Sequence, residues 1–148
     1  MKKTEKDRIP KDQYFLKIAG VVALCGTCPR KKIGAVLVHD GMIVSTGYNG
    51  APRGIDHCDG KVGCRMIEGH CVRTVHAEVN AVVQAAYNGV ATSGATLYTQ
   101  YLPCEHCAKV LINAGVKRIV YSGIYENADN EYTKENLTKA GVKFELLQ

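Results

Sequence analysis

The chain has 148 residues, of which 46% are hydrophobic and 22% are charged, and its formal net charge is +5. This composition is typical of one globular domain and excludes a disordered or fibrous chain. No apolar run approaches the ~20 residues that span a bilayer. The first dozen residues lack the apolar segment of a secretory signal. We therefore predict a single cytoplasmic domain over residues 1–148, with a polar tail over residues 1–12 and no membrane partner.

The chain contains seven cysteines. Without an export signal, clustered cysteines favour metal binding or catalysis over a disulfide framework, because a reducing compartment keeps thiols free. The modest positive charge suits an anionic small molecule as readily as a nucleic acid, so charge alone does not identify the partner.

Apolar residues at helical spacing predict a first helix over residues 13–25, with Cys25 packed on its apolar face. Two apolar strands over residues 33–38 and 42–47 follow, and the Asp-Gly dipeptide between them predicts a hairpin. Residues 48–54 have the glycine, proline and asparagine density of a loop. The cysteine-rich insert over residues 55–74 shows no clear period, which favours a segment held by a bound metal.

Helices and strands alternate after the insert. Helices are predicted over residues 76–87 and 104–113, and strands over residues 95–99, 118–121 and 143–147. An Ala-Gly-Val-Lys segment occurs twice, at 114–117 and 140–143, where a helix ends at a glycine and a strand begins. These elements predict an α/β fold around one sheet, which is mixed because its first two strands form a hairpin.

Two short motifs combine into a candidate zinc site. His76 and Glu78 form a His-x-Glu motif, and Cys104 and Cys107 belong to a Pro-Cys-x-x-Cys motif. Separately, a histidine at a helix start is more often a cap or surface residue, and the cysteine pair fits a redox centre as well as zinc. Together, at two predicted helix starts, they supply three zinc ligands and a carboxylate.

Three protein ligands leave one position of a tetrahedral zinc open, as catalytic sites do. Glu78 is two residues from His76, so the two side chains diverge by about 200° on a regular helix. This spacing argues that Glu78 is not a fourth ligand. We predict that it transfers protons at the open position.

At this point the chain resembles the deoxycytidylate (dCMP) deaminases of the cytidine deaminase-like superfamily. The resemblance is carried by Cys25-Gly-Thr-Cys28, Ile33-Gly-Ala-Val, Thr46-Gly-Tyr-Asn-Gly50, His76-Ala-Glu-Val-Asn-Ala81 and Leu102-Pro-Cys-Glu-His-Cys107. It implies a three-layer α/β/α fold with a central mixed sheet of about five strands. It also implies zinc on His76, Cys104 and Cys107, with Glu78 as the proton shuttle in hydrolytic deamination of dCMP to dUMP and ammonia.

The same resemblance implies substrate contacts. Asn49 would hydrogen-bond the nucleotide at its sugar, although a structural turn asparagine is the alternative. Backbone N–H groups near Ala77 would meet the base, because helix starts have unsatisfied donors. The sequence does not identify the residues that contact the phosphate. Candidates are the basic residues, by their charge, and two tyrosines, by their hydroxyl groups: Arg30, Lys31, Lys32, Arg53, Arg73, Tyr121 and Tyr125.

Some members of this family bind a second, structural zinc, which the resemblance extends to Cys28, Cys58, Cys64 and Cys71. His70 is an alternative to Cys71, and a set of free loop thiols is the alternative to the whole site. Members can also be homo-hexamers regulated by dCTP and dTTP. The position in the second helix that can carry arginine in regulated members is Tyr87 here, so regulation stays undecided.

Other functions remain as alternatives. The same chemistry could act on adenosine in tRNA, on cytidine or cytosine, or on dCTP, and a tRNA substrate would call for a more basic surface. A non-catalytic zinc module that binds nucleic acid or protein would leave Glu78 and the open zinc position without a role.

Overall fold

The protein is described by a computed structural model that covers residues 7–126 and 129–148, so residues 1–6 of the predicted tail lie outside the described part. The chain forms, in order, α1 (Lys11–Ala23), β1 (Gly34–His39), β2 (Met42–Tyr48), β3 (Met66–Ile67), β4 (His70–Cys71), α2 (Ala77–Tyr87), β5 (Thr96–Tyr101), α3 (Glu105–Asn113), β6 (Arg118–Gly123), α4 (Asn130–Lys139) and β7 (Lys143–Leu146). Within those ranges, no helix has both the length and the apolar character to cross a bilayer.

Five strands form one sheet in the order β2-β1-β5-β6-β7. β1 is antiparallel to both β2 and β5, whereas β5, β6 and β7 are mutually parallel. A short turn suffices for the antiparallel hairpin, and the helices α3 and α4 provide the crossovers that parallel strands need. The predicted mixed sheet of five strands is confirmed.

Helices cover both faces of the sheet. Ala35 and Leu37 of β1 belong to a core that includes residues of α2, α3 and α4, whereas Val36 and Val38 pack with Phe15 and Ala19 of α1. This alternation is the two-residue period of a strand buried on both faces. The predicted three-layer α/β/α arrangement is confirmed, with α1 alone in one outer layer.

The predicted turns have the backbone conformations that their residues favour. Asp40 and Gly41 both have positive φ angles, of 49° and 73°, as a two-residue type I′ hairpin turn requires. Gly115 and Gly141 follow the ends of α3 and α4 with φ angles of 79° and 73°, which is the left-handed conformation predicted for both.

The prediction that Cys25 packs on the first helix is wrong. α1 ends at Ala23, and Cys25 is exposed beyond it. The buried face of α1 consists of Phe15, Ala19 and Ala23, one residue in every four. The small alanine side chains allow the helix to lie close to the sheet. The apolar sequence pattern continues beyond Ala23, where the helix ends, and this is why the pattern overestimated its length.

The insert also differs from its prediction, because it is not wholly irregular. β3 and β4 form a two-stranded hairpin in which Met66 pairs with Cys71 and Ile67 with His70. Two residues per strand is too short to give a recognisable alternation in the sequence.

Asp12 ties the first helix to the far end of the chain. It was assigned to the polar tail, but it lies in α1 and accepts hydrogen bonds from Tyr98 Oη (2.7 Å), Arg118 Nη1 (2.9 Å) and Arg118 Nη2 (2.7 Å). Arg118 also pairs with Glu145 of β7. Hydrogen bonding to the Arg118 guanidinium holds the pKa of Asp12 below its ordinary value of 3.8.

We expect Asp12→Asn to lower the free energy of unfolding at pH 7 by about 1–3 kcal/mol, because a charged hydrogen-bond acceptor is lost. Since the pKa of Asp12 is depressed by folding, its contribution is fully present above the unfolded pKa of about 3.9 and is lost as the pH falls through the folded value. Urea denaturation at pH 7 and at lower pH should therefore show the difference from wild type shrinking below about pH 4.

The matched control is Asp40→Asn, because Asp40 is 90% exposed and asparagine tolerates its positive φ angle. This control should be nearly neutral at both pH values. A loss of stability in Asp12→Asn that does not vary with pH would contradict an ionic role for Asp12.

Candidate active site

The His-x-Glu and Cys-x-x-Cys motifs meet at two helix starts. His76 is the N-cap residue of α2, Cys104 is the N-cap residue of α3, and Cys107 lies in the first turn of α3. His76 Nδ1 lies 3.5 Å from Cys104 Sγ and 3.3 Å from Cys107 Sγ. The three donor atoms all lie within 4.8 Å of one another.

This donor set fits zinc. With Zn–N of about 2.0 Å and Zn–S of about 2.3 Å, a tetrahedral ion separates its nitrogen and sulfur ligands by about 3.5 Å. A hydrogen bond from Cys107 lowers the pKa of Cys104 to about 3, and His76 reinforces this effect against the opposing influence of burial. This lowering of the pKa favours the thiolate form of Cys104, the form in which cysteine binds metals.

Glu78 lies beside the three donors and outside their group. It is in the first turn of α2 and only 5% exposed, and Cys107 Sγ donates a long hydrogen bond of 3.7 Å to its Oε2. Burial raises the pKa of the Glu78 carboxyl above its ordinary value. A carboxyl in this position can hold or release a proton close to an ion bound by the three donors.

The three donor residues differ in exposure, since His76 is exposed, Cys104 is partly buried and Cys107 is buried. The site is therefore open on the side of His76 and closed by the core on the side of Cys107. A substrate can reach a bound ion from the open side while both helix starts stay fixed.

Comparisons with known proteins identify the family. Residues 9–123 match the cytidine and deoxycytidylate deaminase zinc-binding region. The chain belongs to this family.

Individual relatives agree with that assignment. ComE operon protein 2 of Bacillus subtilis (strain 168) is 41% identical over 142 residues, which cover 96% of this chain and 74% of the relative. Deoxycytidylate deaminase of Enterobacteria phage T2 is 33% identical and covers 78% of this chain and 81% of its own length. The crystal structure of dCMP deaminase from cyanophage S-TIM5 in complex with dCMP and dUMP has a TM-score of 0.81 at 29% identity, covering 95% of this chain and 99% of that chain.

Asn49 follows β2 at the same sheet edge as the family's zinc motif, and its side chain is buried. Its Oδ1 accepts from the Ile33 N–H (2.9 Å), and its Nδ2 donates to the Lys31 carbonyl (2.7 Å). Asn49 therefore fixes the backbone before β1. Since an asparagine amide has a second hydrogen and a second lone pair, a sugar contact stays a prediction beside this structural role.

Ala77 opens α2. The first hydrogen bond of this helix runs from the Asn80 N–H to the His76 carbonyl (2.9 Å), so the Ala77 N–H precedes the helical ladder. Its position next to His76 keeps the predicted backbone contact with the base available. Asn80 Nδ2 and Ser45 Oγ tie α2 to β2 through bonds to Tyr48 O (2.8 Å) and Ala81 O (2.6 Å).

A second sulfur cluster lies in the insert, where Cys58, Cys64 and Cys71 lie within 4.8 Å of one another. Cys58 Sγ and Cys71 Sγ are 3.7 Å apart, close to the edge of about 3.8 Å between two thiolates on a tetrahedral zinc. Burial raises the pKa of Cys71, but the Thr74 hydroxyl and backbone N–H groups outweigh burial and lower it to about 6. The predicted ligands Cys28 and His70 are not within this group, although Cys28 is buried.

The predicted phosphate contacts are scattered. Arg30 Nη1 lies 3.5 Å from Met66 Sδ, and Lys32 Nζ donates to the Leu24 carbonyl at 3.4 Å. Arg53 donates to Gln84 Oε1 at 3.2 Å and stacks 4.4 Å from the centre of the Tyr87 ring. Arg73 lies in the insert, where its backbone hydrogen-bonds Cys71.

The candidate Tyr121 is 4% exposed and belongs to the main core. Lys31 and Tyr125, in contrast, meet at the end of the parallel strands together with Tyr101. Sequence reasoning missed Tyr101. The sequence feature that could have identified Tyr101 is its position at the end of a strand, three residues before Cys104.

Proposed function

We propose that this protein is a zinc-dependent dCMP deaminase that converts dCMP and water to dUMP and ammonia. The observation that carries the proposal is the group of His76, Cys104 and Cys107 with the buried Glu78 carboxyl beside it. The dCMP deaminase of cyanophage S-TIM5, bound to dCMP and dUMP, supports the choice of substrate because this chain shares its fold over nearly its whole length.

His76, Cys104 and Cys107 would hold the ion, and zinc bound there supplies a Lewis acid that makes water nucleophilic near neutral pH. Glu78 takes one proton from the attacking water and delivers it to ring N3 as the water oxygen bonds to C4. It then takes the second proton from that oxygen and delivers it to the leaving amine. The C4–N bond breaks, ammonia leaves and a uracil ring remains. The raised pKa of Glu78 suits this role, since a group that alternates between two protonation states works best near the ambient pH.

The chain's other groups would orient the nucleotide. The Ala77 N–H would bind the base, and the remaining hydrogen-bonding capacity of Asn49 would serve the sugar. Both residues are held by backbone contacts, at the start of α2 and beside β1. A rigid contact of this kind limits the loss of conformational entropy on binding.

Ammonia release from a panel of dCMP, CMP, dCTP, deoxycytidine and a tRNA anticodon stem-loop tests the substrate. We expect the highest kcat/KM for dCMP. Best activity on an unphosphorylated nucleoside or on the tRNA stem-loop would overturn the proposed function.

We propose a second, structural zinc on Cys28, Cys58, Cys64 and Cys71, with His70 as the alternative to Cys71. The grouping of Cys58, Cys64 and Cys71 supports this proposal. Purified protein should then contain about two zinc ions per chain, and Cys64→Ser should contain about one. Metal analysis of both proteins and of Cys25→Ser is the measurement. Cys25 is exposed and outside both groups, so its variant should keep the wild-type zinc content. About one zinc ion per chain in the wild type would contradict the second site.

The proposed compartment is the cytoplasm, which the seven free cysteines support. Assembly into a homo-oligomer such as a hexamer, and regulation by dCTP and dTTP, remain predictions for this chain. Neither nucleic acid nor a membrane is a proposed partner.

A further inference from the structure

Thr74 links the insert cluster, formed by Cys58, Cys64 and Cys71, to the start of α2. Its hydroxyl Oγ1 is 3.6 Å from Cys58 Sγ and 3.4 Å from Cys71 Sγ. The backbone N–H groups of Arg73 and Thr74 also donate to the Cys71 sulfur. A metal-bound thiolate has no proton to give, so the Thr74 hydroxyl is the donor toward a cluster that holds zinc. Thr74 therefore contacts the cluster through both its side chain and its backbone.

The residue after Thr74 is tied to the loop that follows β2. Val75 and Gly50 exchange two backbone hydrogen bonds, from the Val75 N–H to the Gly50 carbonyl (2.8 Å) and from the Gly50 N–H to the Val75 carbonyl (3.2 Å). Gly50 follows Asn49, whose own carbonyl accepts from the Thr27 N–H (3.0 Å). The segment of Thr74 and Val75 is thus attached to the cluster at one residue and to this loop at the next.

His76 follows directly and depends on this segment for its position. As the N-cap residue of α2 it has an extended backbone, with φ of −68° and ψ of 149°, and its Cα lies about 7 Å along the chain from that of Thr74. His76 Nδ1 lies 3.5 Å from Cys104 Sγ and 3.3 Å from Cys107 Sγ, the separations that one zinc ion requires. A connection this short passes a displacement of Thr74 on to the His76 ring.

The body of α2 has separate anchors on β2. Asn80 Nδ2 donates to the Tyr48 carbonyl (2.8 Å), and Ser45 Oγ donates to the Ala81 carbonyl (2.6 Å). These bonds hold the helix after its first residues, whereas His76 lies before them. The start of α2 therefore has two supports, and the insert cluster supplies one of them.

We propose that Thr74 is a positioning residue through which the insert cluster holds His76 in place for the catalytic ion. The cluster would then set the geometry of the active site as well as stabilising the insert. Hydrogen-bond partners of metal ligands commonly contribute 10- to 100-fold in metal affinity or activity. The inference rests on the proposed dCMP deaminase function for its kinetic test and on the proposed second zinc for its metal test.

The test replaces Thr74 by valine, which keeps the shape of the side chain and removes the hydroxyl. We expect kcat for dCMP to fall about 10- to 100-fold, because a displaced His76 moves the reacting groups, with KM within about threefold of wild type. Competition with a chelator should show that zinc at the insert binds about 10- to 100-fold more weakly. Thr74→Ser restores the hydroxyl and should recover most of both losses.

Thr92→Val is the matched control. Thr92 lies in the loop between α2 and β5, is partly buried like Thr74, and donates its hydroxyl hydrogen to the Ala114 carbonyl (2.7 Å). The variant loses a hydrogen bond in a comparable environment that contacts neither sulfur group. It should keep the wild-type kinetics and the wild-type affinity for both zinc ions.

A double-mutant cycle with Cys64→Ser separates coupling from local damage. If Thr74 acts through the insert cluster, Thr74→Val should lower kcat much less in the Cys64→Ser background than in wild type, since residues of one network are not additive. Circular dichroism checks that each variant is folded. Hydrogen exchange needs no second substitution, and in Thr74→Val the Val75 N–H should exchange faster than in wild type while the amides of β5 are unchanged.

Equal losses of kcat in both backgrounds would overturn the coupling, since Thr74 would then act without the cluster. Unchanged kcat or unchanged zinc affinity in Thr74→Val would also overturn it, as would a Thr74→Ser protein no better than Thr74→Val. One zinc ion per wild-type chain would overturn the second site and this inference together. Wild-type protein that holds two zinc ions but does not deaminate dCMP would overturn the proposed function alone, while the zinc affinities and the exchange at Val75 would still decide the role of Thr74.

Discussion

Glu78→Gln is expected to lower kcat for dCMP by about 10²- to 10⁴-fold, the usual contribution of general acid–base catalysis, while the protein keeps its catalytic zinc. Glutamine has the shape of glutamate but cannot take up and release the proton. Because Glu78 lies outside the group of His76, Cys104 and Cys107, zinc content should not fall. A neutral amide costs less to bury than an ionised carboxylate, so we expect the variant to stay folded.

Steady-state kinetics, metal analysis and thermal unfolding of the same preparation measure these effects. Glu135→Gln is the matched control, since Glu135 lies on α4 with its side chain 56% exposed and paired with Lys139. It should have wild-type kinetics. Loss of zinc together with activity would reassign Glu78 as a ligand, and retained activity would require another proton carrier.

Gly47→Ala is expected to displace α2, the helix that carries Glu78, and to lower both stability and activity. A Cβ at Gly47 would lie 2.3 Å from both the Ala77 carbonyl oxygen and the Ala81 N–H nitrogen, which are backbone atoms of α2. α2 would have to move away from β2 and take His76 and Glu78 with it. We expect a loss of about 3 kcal/mol or more in the free energy of unfolding, and about 100-fold in kcat/KM for the displaced groups.

Gly20→Ala is the control for this prediction. Gly20 lies in α1, and a Cβ there would meet no atom within 4 Å. Alanine should stabilise the helix by about 0.5–1 kcal/mol and leave kinetics unchanged. Chemical denaturation and dCMP kinetics of both variants decide the matter. A Gly47→Ala protein with wild-type stability and activity would show that α2 tolerates a displacement from β2.

Local signals predicted much of this structure because their causes are local. The Asp40-Gly41 turn and the glycines after α3 and α4 depend on backbone conformations that few residues adopt. The grouping of His76, Cys104 and Cys107 was predictable for a related reason. A histidine and a cysteine pair at two helix starts can bind one ion only if the fold brings the two helix starts together. The distances from His76 Nδ1 to the two sulfur atoms are compatible with such an ion.

The features that sequence reasoning missed depend on distant partners. In the sequence, Asp12 is one of several charged residues of a polar segment. Its ion pair with Arg118 is formed across 106 residues of sequence, so no local pattern predicts it. Lys31 contacts the rings of Tyr101 and Tyr125 because the ends of β5 and β6 lie beside the segment before β1. The hydrophobic periodicity of the sequence predicts strands but not their order in the sheet. The burial of Tyr121 in the core could not be predicted either, because tyrosine is found in cores and at surfaces alike.

The contacts of Arg118 with Asp12 and Glu145 have a consequence for folding during synthesis. Asp12 leaves the ribosome more than a hundred residues before its guanidinium partner, and β7 is made after all the other helices and strands described above. α1 therefore remains without its ionic partner, and without β5 and β6 to cover its apolar face, until nearly the whole chain is available. We expect the domain to fold late and in one cooperative step, so that the groups of His76 with Cys104 and Cys107, and of Cys58 with Cys64 and Cys71, form only after β7 has been made.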